Sequence, residues 1–412
     1  MDISDLVIIG GGASGFMTAI TAAEHGVKNI KILESSSKLL EKVRISGGGR
    51  CNVTNASWIP HELIDNYPRG GKKLLESLSR FATGDVFAWF EEHGLKLKIE
   101  NDLRVFPVSD SSIDVVNCLE NTARKLGVEI NTNKYVNKIL RNEHDFFQVF
   151  FSEEEYISSR RILIATGGHP SGYKLASSLG HKIVKPVPSL FTLTSKDKRL
   201  KECAGVSLRN IRLKIFINKK VFENHGDLLI THWGFSGPGI LKLSAVAARD
   251  LYIAKYKCNL LIRWADLNHE SLLNKINELR ELRGKSSLLN SRPIPSLTKR
   301  LWIFLLNKIG IDKDKKWSEL LASEKKDMIK ILLEDEYLIS AKGPFGEEFV
   351  RSGGVTLDEV NFRSMESFIC PGLYFSGEVL NVDGITGGFN FQHCWTSGWL
   401  AGKSISQANI IS

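Results

Sequence analysis

Residues 5–26, DLVIIGGGASGFMTAITAAEHG, restrict the fold of this chain more than any other stretch. Leu6 to Ile9 form a short apolar run that reads as a buried strand. Gly10, Gly12 and Gly15 follow with G-x-G-x-x-G spacing, and the apolar stretch after them ends near Gly26, a natural helix C-cap. The order is strand, tight turn, helix. In such a unit the first glycine makes the turn and the second admits a pyrophosphate. The third lets helix and strand pack closely. The helix start at Ala13 and Ser14 supplies unpaired N–H groups and a positive partial charge. A second strand, residues 30–33, ends at Glu34, about 20 residues beyond the glycines, where an acid accepts hydrogen bonds from a ribose. The expectation is an α/β chain with a Rossmann-like dinucleotide-binding domain.

NAD and FAD both fit that N-terminus, and the other end of the chain discriminates between them. Residues 372–402, GLYFSGEVLNVDGITGGFNFQHCWTSGWLAG, read as a strand ending at Gly377 and Glu378. A glycine pair, Gly387 and Gly388, then opens a helix at Phe389 and Asn390. An acid at Glu378 suits the ribityl chain of a flavin. The helix start points N–H groups at the pyrimidine edge, where negative charge collects on reduction. NAD needs no such return, so the expected cofactor is FAD. A further strand, residues 162–165, runs into Thr166, Gly167 and Gly168.

Between the two ends the pattern changes. Helical signals cover residues 72–81 and 85–93. Another helix starts at SSID, where Ser111 and Asp114 have capping-box spacing, and ends at Gly127. Short strands fill residues 128–151. From residue 190 to about 262 short strands dominate, with one helical stretch after Pro238. Residues 268–333 are Lys- and Leu-rich and helical, with Pro293 and Pro295 separating two helices. Strand signals return at residues 337–341.

The chain has 412 residues, a net charge of +9 and a pI of about 9.1, a mild excess that favours an anionic partner. Its N-terminus has no basic region and a short apolar run, so it reads as a strand and not a signal peptide. No apolar run approaches the ~20 residues of a membrane helix. The six cysteines are scattered without a C-x-x-C, which argues against a disulfide framework, a zinc site or a dithiol pair. A cytoplasmic, metal-free protein that does not span a membrane is expected.

Residues 45–55, ISGGGRCNVTN, put three glycines before an arginine, a cysteine and two asparagines. Together with IIGGGASG, RVFPVSD, ATGG, THWGFSGPGIL and GEVLNVDGITGGFNFQ, this run resembles the YhiN-like flavoproteins, NAD(P)/FAD-dependent oxidoreductases, over nearly the whole chain. The resemblance implies an FAD-binding domain built from both chain ends, residues 1–187 and 345–412. A β-barrel-like domain (188–266 and 334–344) and a helical subdomain (267–333) are inserted into it. It also implies that Gly47, Gly48 and Gly49 cradle FAD, with Arg50, Cys51 and Asn52 at cofactor or substrate. The family more often has an aromatic where His393 stands, so no role passes to His393 or Cys394. Arg44 likewise replaces a usual apolar residue.

A flavin moves hydride, while the protein orients the reactants and delivers protons. No second G-x-G-x-x-G is visible, so NAD(P)H is expected to dock transiently. Cys51 and His232 are the candidate proton donors, and Trp233 and Phe235 are candidates to stack on a planar substrate. The resemblance implies two substrate classes: uridine of 23S ribosomal RNA, reduced to dihydrouridine, and the C=C bond of a steroid-like small molecule. The basic runs at residues 196–201 and 313–316 suit RNA phosphates. No RRM or KH signature is present. A flavin protein with a structural or sensory flavin is the remaining class.

Overall fold

The computed structural model describes residues 3–344 and 350–411. It divides into two compact units, Met1–Val187 with Val350–Ser412, and Pro188–Phe349.

The first unit is built on a seven-stranded sheet. Its strands β1 (Ser4–Ile9), β2 (Ile30–Leu33), β3 (Glu129–Asn131), β4 (Lys138–Arg141), β5 (Phe147–Phe150) and β6 (Tyr156–Ile164) run in the order β3-β2-β1-β6-β5-β4. The strand Leu373–Phe375 also pairs with β6. The pairings β1–β2, β1–β6, β2–β3 and β6 with Leu373–Phe375 are parallel. Ile9 stands opposite both Leu33 and Ile164, Ile164 opposite Phe375, and Leu33 opposite Asn131. Five strands therefore stop in one row. Leu6, Val7 and Ile8 are fully buried, as a central parallel strand covered on both faces requires.

Helix α1 (Ala13–Glu24) packs against the last helix, Phe389–Ile411. The approach is backbone-close: a Cβ at Gly398 would lie 2.7 Å from the Ser14 carbonyl oxygen, and one at Gly402 2.7 Å from that of Thr18. The two chain ends are thus locked by small residues.

The helices expected near residues 72–81 and 85–93 form as Gly71–Leu78 and Thr83–Glu92. The helix Ser112–Lys125 also forms, but the expected capping box does not, because the Ser111 side chain caps nothing. The helix start is instead docked on the glycine loop. The Ser112 N–H donates to the Gly49 carbonyl at 2.8 Å and its hydroxyl to that of Arg44 at 2.6 Å.

In the second unit six strands close into a barrel. They are β7 (Leu193–Ser195), β8 (Ser207–Ile217), β9 (Lys220–Ile230), β10 (Gly234–Ser236), β11 (Cys258–Arg263) and β12 (Asp335–Lys342). Their order is β7-β10-β9-β8-β11-β12, closed by β12 on β7. Three helices lie between β11 and β12: His269–Arg283, Lys299–Lys308 and Ala322–Leu333. The third goes beyond the two expected around the prolines. Leu272, Trp302, Leu305 and Leu332 of these helices share one buried cluster with Leu213, Ile215 and Leu260 of the barrel. Helices and barrel therefore have a common core. No helix among the described residues is long and apolar enough to cross a membrane.

Candidate cofactor site

The common row of strand ends places four turns along one edge of the first unit. They are Gly10–Gly12 after β1, Glu34 after β2, Ala165–Gly168 after β6, and Ser376–Glu378 after Phe375. Ligands of open α/β sheets bind outside the carboxyl ends of the strands where neighbouring connections diverge. Here β1 has β2 on one side and β6 on the other, so that point lies over β1.

The glycine turn has the geometry that a pyrophosphate needs. A Cβ on Gly15 would lie 2.2 Å from the Gly10 carbonyl oxygen, so only glycine permits this contact between helix and turn. Helix α1 has no side-chain cap and no acid in its first turn. A Cβ at Gly12, Gly48 or Gly49 would meet nothing within 4 Å. An uncapped helix start beside open glycine backbone is the donor set that an anionic diphosphate fits. Ala13 and Ser14 lie in that first turn, and the Ser14 hydroxyl donates to the Ser376 carbonyl at 3.3 Å.

Glu34 is half-buried and already engaged. One carboxylate oxygen accepts from the Gly11 N–H at 2.9 Å, the other from the Ser36 N–H at 2.8 Å and the Ser35 hydroxyl at 3.2 Å. It therefore fixes the glycine turn, and about one of the roughly four lone-pair sites of a carboxylate is left for a ribose hydroxyl.

Glu378 lies in a cluster that spacing along the sequence does not reveal. It pairs with Lys42 at 2.6 Å and accepts from the Arg351 N–H at 2.8 Å. A Cβ on Gly168 would lie 3.0 Å from its carboxylate. Burial, then the Glu378 charge, pushes the Tyr173 hydroxyl up. The hydroxyls of Thr166, Tyr173 and Ser352 are buried with no hydrogen-bond partner among the described residues. Each such orphan costs roughly 1–3 kcal/mol unless a polar ligand satisfies it. Orphaned hydroxyls beside a carboxylate fit the polyol part of a flavin nucleotide.

The loop ISGGGRCNVTN departs from expectation. Gly47, Gly48, Gly49 and Cys51 all have left-handed backbone, with φ of 58°, 70°, 86° and 57°. Arg50, expected at cofactor or substrate, is engaged elsewhere. Its guanidinium bonds Glu100 and Asp110, each at 2.5 Å, and lies 3.9 Å over the Phe106 ring. Opposite charges nearby outcompete a distant anion, so Arg50 bolts the loop to the hairpin of Leu97–Ile99 and Arg104–Pro107. Asn52, in the amide orientation that satisfies its neighbours, donates to the carbonyls of Thr54 and Val105 and accepts from the Gly388 N–H at 3.0 Å. Cys51 is fully buried in the apolar core, and burial pushes its thiol up to about 12. That is the setting of a packing residue.

The C-terminal return is stitched to the same loop. A Cβ on Gly388 would lie 2.4 Å from the Thr54 carbonyl. The Asn55 amide donates to the Gly387 carbonyl at 3.1 Å, and the Trp395 indole to that of Val53 at 2.8 Å. Phe389 and Asn390, expected at the flavin, also hold the turn. Phe389 is buried edge-on to Tyr67, and the Asn390 amide clasps the Gly384 backbone at 2.9 and 3.0 Å. Asp383 is fully buried and forms a bidentate pair with Arg69. His393 is buried, with Nε2 3.2 Å from the Gly377 carbonyl and Nδ1 unpartnered among the described residues. Burial lowers its pKa to about 4.

His232 belongs to the second unit, so the structure does not gather the two candidate proton donors in one unit. It is exposed, edge-on to Trp233 at 4.3 Å. Phe235, expected as a stacking surface, is fully buried against Tyr337 because it belongs to the barrel core. Charge separates the units sharply. Residues 188–349 hold 29 Lys and Arg against 19 Asp and Glu, a net +10, and the remainder holds 26 against 27, a net −1. The total charge conceals this division, which becomes visible once the unit boundaries are known.

The HI0933-like protein Rossmann domain matches residues 4–404. The chain is 29% identical over 410 residues to the 3-dehydro-bile acid delta(4,6)-reductase of Clostridium scindens, covering 97% of this chain and 98% of that protein. It is also 29% identical over 419 residues to the ribosomal RNA dihydrouridine synthase of Escherichia coli, covering 99% of each. Among solved structures, the 3-ketosteroid delta1-dehydrogenase of Sterolibacterium denitrificans aligns with a TM-score of 0.52 at 11% identity, over 99% of this chain and 100% of that one. At that identity the likeness concerns the fold, which is Rossmann-like. With the family match spanning nearly its whole length, the chain belongs to the HI0933-like Rossmann family.

Proposed function

We propose that this FAD-dependent oxidoreductase takes hydride from NAD(P)H and delivers it to the C5–C6 double bond of an unpaired uridine in 23S ribosomal RNA, giving dihydrouridine. NAD(P)H loses the hydride and becomes NAD(P)⁺. The uracil ring gains that hydride at one carbon and a proton, drawn from water, at the other, so the balance is closed. Bound FAD supplies hydride transfer, and the rest of the work falls to the chain. The start of α1 and the glycine turn bind the diphosphate. Glu34 holds the turn and meets the ribose. Glu378, Thr166 and Tyr173 orient the polyol.

The observation that supports RNA is the charge division: a nearly neutral cofactor unit joined to a unit of net +10. A small neutral enone needs no such field, whereas a polyanion does. The Escherichia coli relative carries the same activity in its name. The bile acid reductase of Clostridium scindens is equally identical, so reduction of a small enone is the competing reading. A base must leave its stack before a buried redox centre reaches it, at a cost of a few kcal/mol, which is why an unpaired site is favoured.

The test is to incubate purified holoprotein with NADPH and 23S RNA lacking dihydrouridine, then analyse the nucleosides by mass spectrometry. Dihydrouridine formation is expected. Rapid turnover of steroid enones with none formed in RNA would transfer the proposal to the small-molecule class.

A further inference from the structure

The cofactor site leaves unused a basic concavity of the second unit. A cleft of about 240 Å³ lies beside the end of β11 and is lined by Arg209, Arg212, Arg263 and Lys275, with Asp266 as its single acid. Three strand and helix elements converge there. Arg212 on β8 stands directly opposite Arg263 on β11 in the antiparallel register. Directly opposed residues point to the same face, and like charges there are destabilising. The register of β8 on β9 shifts between Leu208 and Ile211, so Arg209 sits on a bulge and is exposed. Bulges re-aim side chains in this way. Lys275 comes from the helix His269–Arg283.

The compensation of these charges is incomplete. Arg212 pairs with Glu223 at 2.9 Å, but Glu223 is shared with Lys214 at 3.0 Å. The Arg263 guanidinium is held by the carbonyls of Ala265 and Leu267, which orient it without neutralising it. The side chains of Arg209 and Lys275 have no ion pair or hydrogen bond among the described residues. The chain therefore keeps a like-charge pair and two free cations around one hollow, in the unit that carries the positive charge.

We infer that this cleft binds the phosphodiester backbone of single-stranded RNA, Arg263 and Arg212 forming its fixed floor and Arg209 and Lys275 closing on the strand. The inference rests on the RNA reading for its biological purpose, though not for its chemistry. Arginine forks match phosphate oxygens in pairs, and phosphate contacts position a strand without reading its sequence.

The test uses the full-length holoprotein and an oligouridylate, titrated by fluorescence anisotropy at several salt concentrations. In Arg209→Gln/Lys275→Gln, affinity at low salt should fall on the order of tenfold. The slope of log K against log salt should become shallower by about 1.4, or roughly 0.7 for each phosphate of a single strand that the protein no longer neutralises. Flavin content should match wild type, because both residues are on the other unit. Unchanged affinity and slope would overturn the inference. So would loss of inorganic phosphate binding in the variant with oligouridylate binding intact, since the cleft would then be a small-anion site. The two readings fail separately. Wild-type protein that binds oligouridylate through these residues but forms no dihydrouridine refutes the substrate proposal and leaves the cleft standing. Dihydrouridine formed by a variant whose RNA affinity is undiminished refutes the cleft alone.

Discussion

Each unit buries an aspartate beside a basic side chain. In the first, Asp383 pairs with Arg69 and pins the turn that leads into the last helix. In the second, Asp335 accepts from the Trp264 indole at 2.9 Å and the Tyr337 hydroxyl at 2.7 Å, with Lys308 alongside. Burial raises the Asp335 pKa despite these partners. The surroundings differ. Around Asp383 the chain brings glycine turns together and leaves backbone donors open. Around Asp335 it closes a barrel and fills it with Leu, Ile and Trp. The formal charge follows the same division, net −1 in the first unit and +10 in the second. A dinucleotide is held largely by backbone at strand ends, which needs glycines and few cations. A polyanion is held by side-chain charge, which needs a rigid platform to carry it.

The largest expected effect breaks this comparison most directly. Removing one partner of a buried ion pair costs about 3–5 kcal/mol. Asp383→Ala should therefore destabilise the first unit by that amount and abolish FAD retention, while oligouridylate binding persists. Asp335→Ala should do the reverse. Denaturant titration followed by flavin absorbance and RNA anisotropy reads both. Equal loss of both functions in either variant would show that the units do not act separately.

Next is acid sensitivity of the cofactor unit. His393 has an ordinary pKa of 6.5 when unfolded and about 4 when folded. Above about 6.5 neither state binds the proton and its contribution is undiminished. As pH falls from 6.5 towards 4 only the unfolded chain is protonated, so stability declines by about 3 kcal/mol and then levels off. His393→Phe should flatten this slope. An unchanged pH profile would place the acid sensitivity elsewhere.

Glu34→Ala removes a charge-assisted hydrogen bond to the glycine turn and should weaken FAD binding by roughly 1.5–3 kcal/mol. Equilibrium dialysis gives the value, and retention equal to wild type would show that the turn holds without it. The smallest effect is expected for Cys51→Ala: about 1 kcal/mol of stability, with turnover largely preserved. A fall of roughly 10²–10⁴-fold with FAD still bound would restore Cys51 as an acid catalyst.

Much of the first unit is legible in the sequence because its signals are local. Strand, glycine turn and helix follow one another over residues 4–24, and no distant neighbour is needed to recognise them. The strand Leu373–Phe375 and the glycine turn after it are legible for the same reason. The role of Arg50 is not, because its partners Glu100 and Asp110 lie 50 and 60 residues away, a pairing that only folding creates. The bond of the Asn390 amide to Gly384, six residues earlier, is not legible either, because the sequence shows only another glycine there. The third helix of the second unit blends with its neighbours because Lys-rich helical patterns continue across the turns.

The sequence by itself determined the Rossmann-type turn, the cofactor class and the α/β architecture, because glycine spacing and apolar periodicity act within a few residues. Tertiary structure decided which polar residues remain free to meet a ligand. It engaged Arg50 with two acids, buried Cys51 under the glycine loop, joined Lys42 to Glu378 across the unit, and set Arg212 opposite Arg263. The reason is that side-chain chemistry depends on which charges and donors lie within a few ångströms. Those neighbours are fixed by strand register and helix packing between segments tens to hundreds of residues apart.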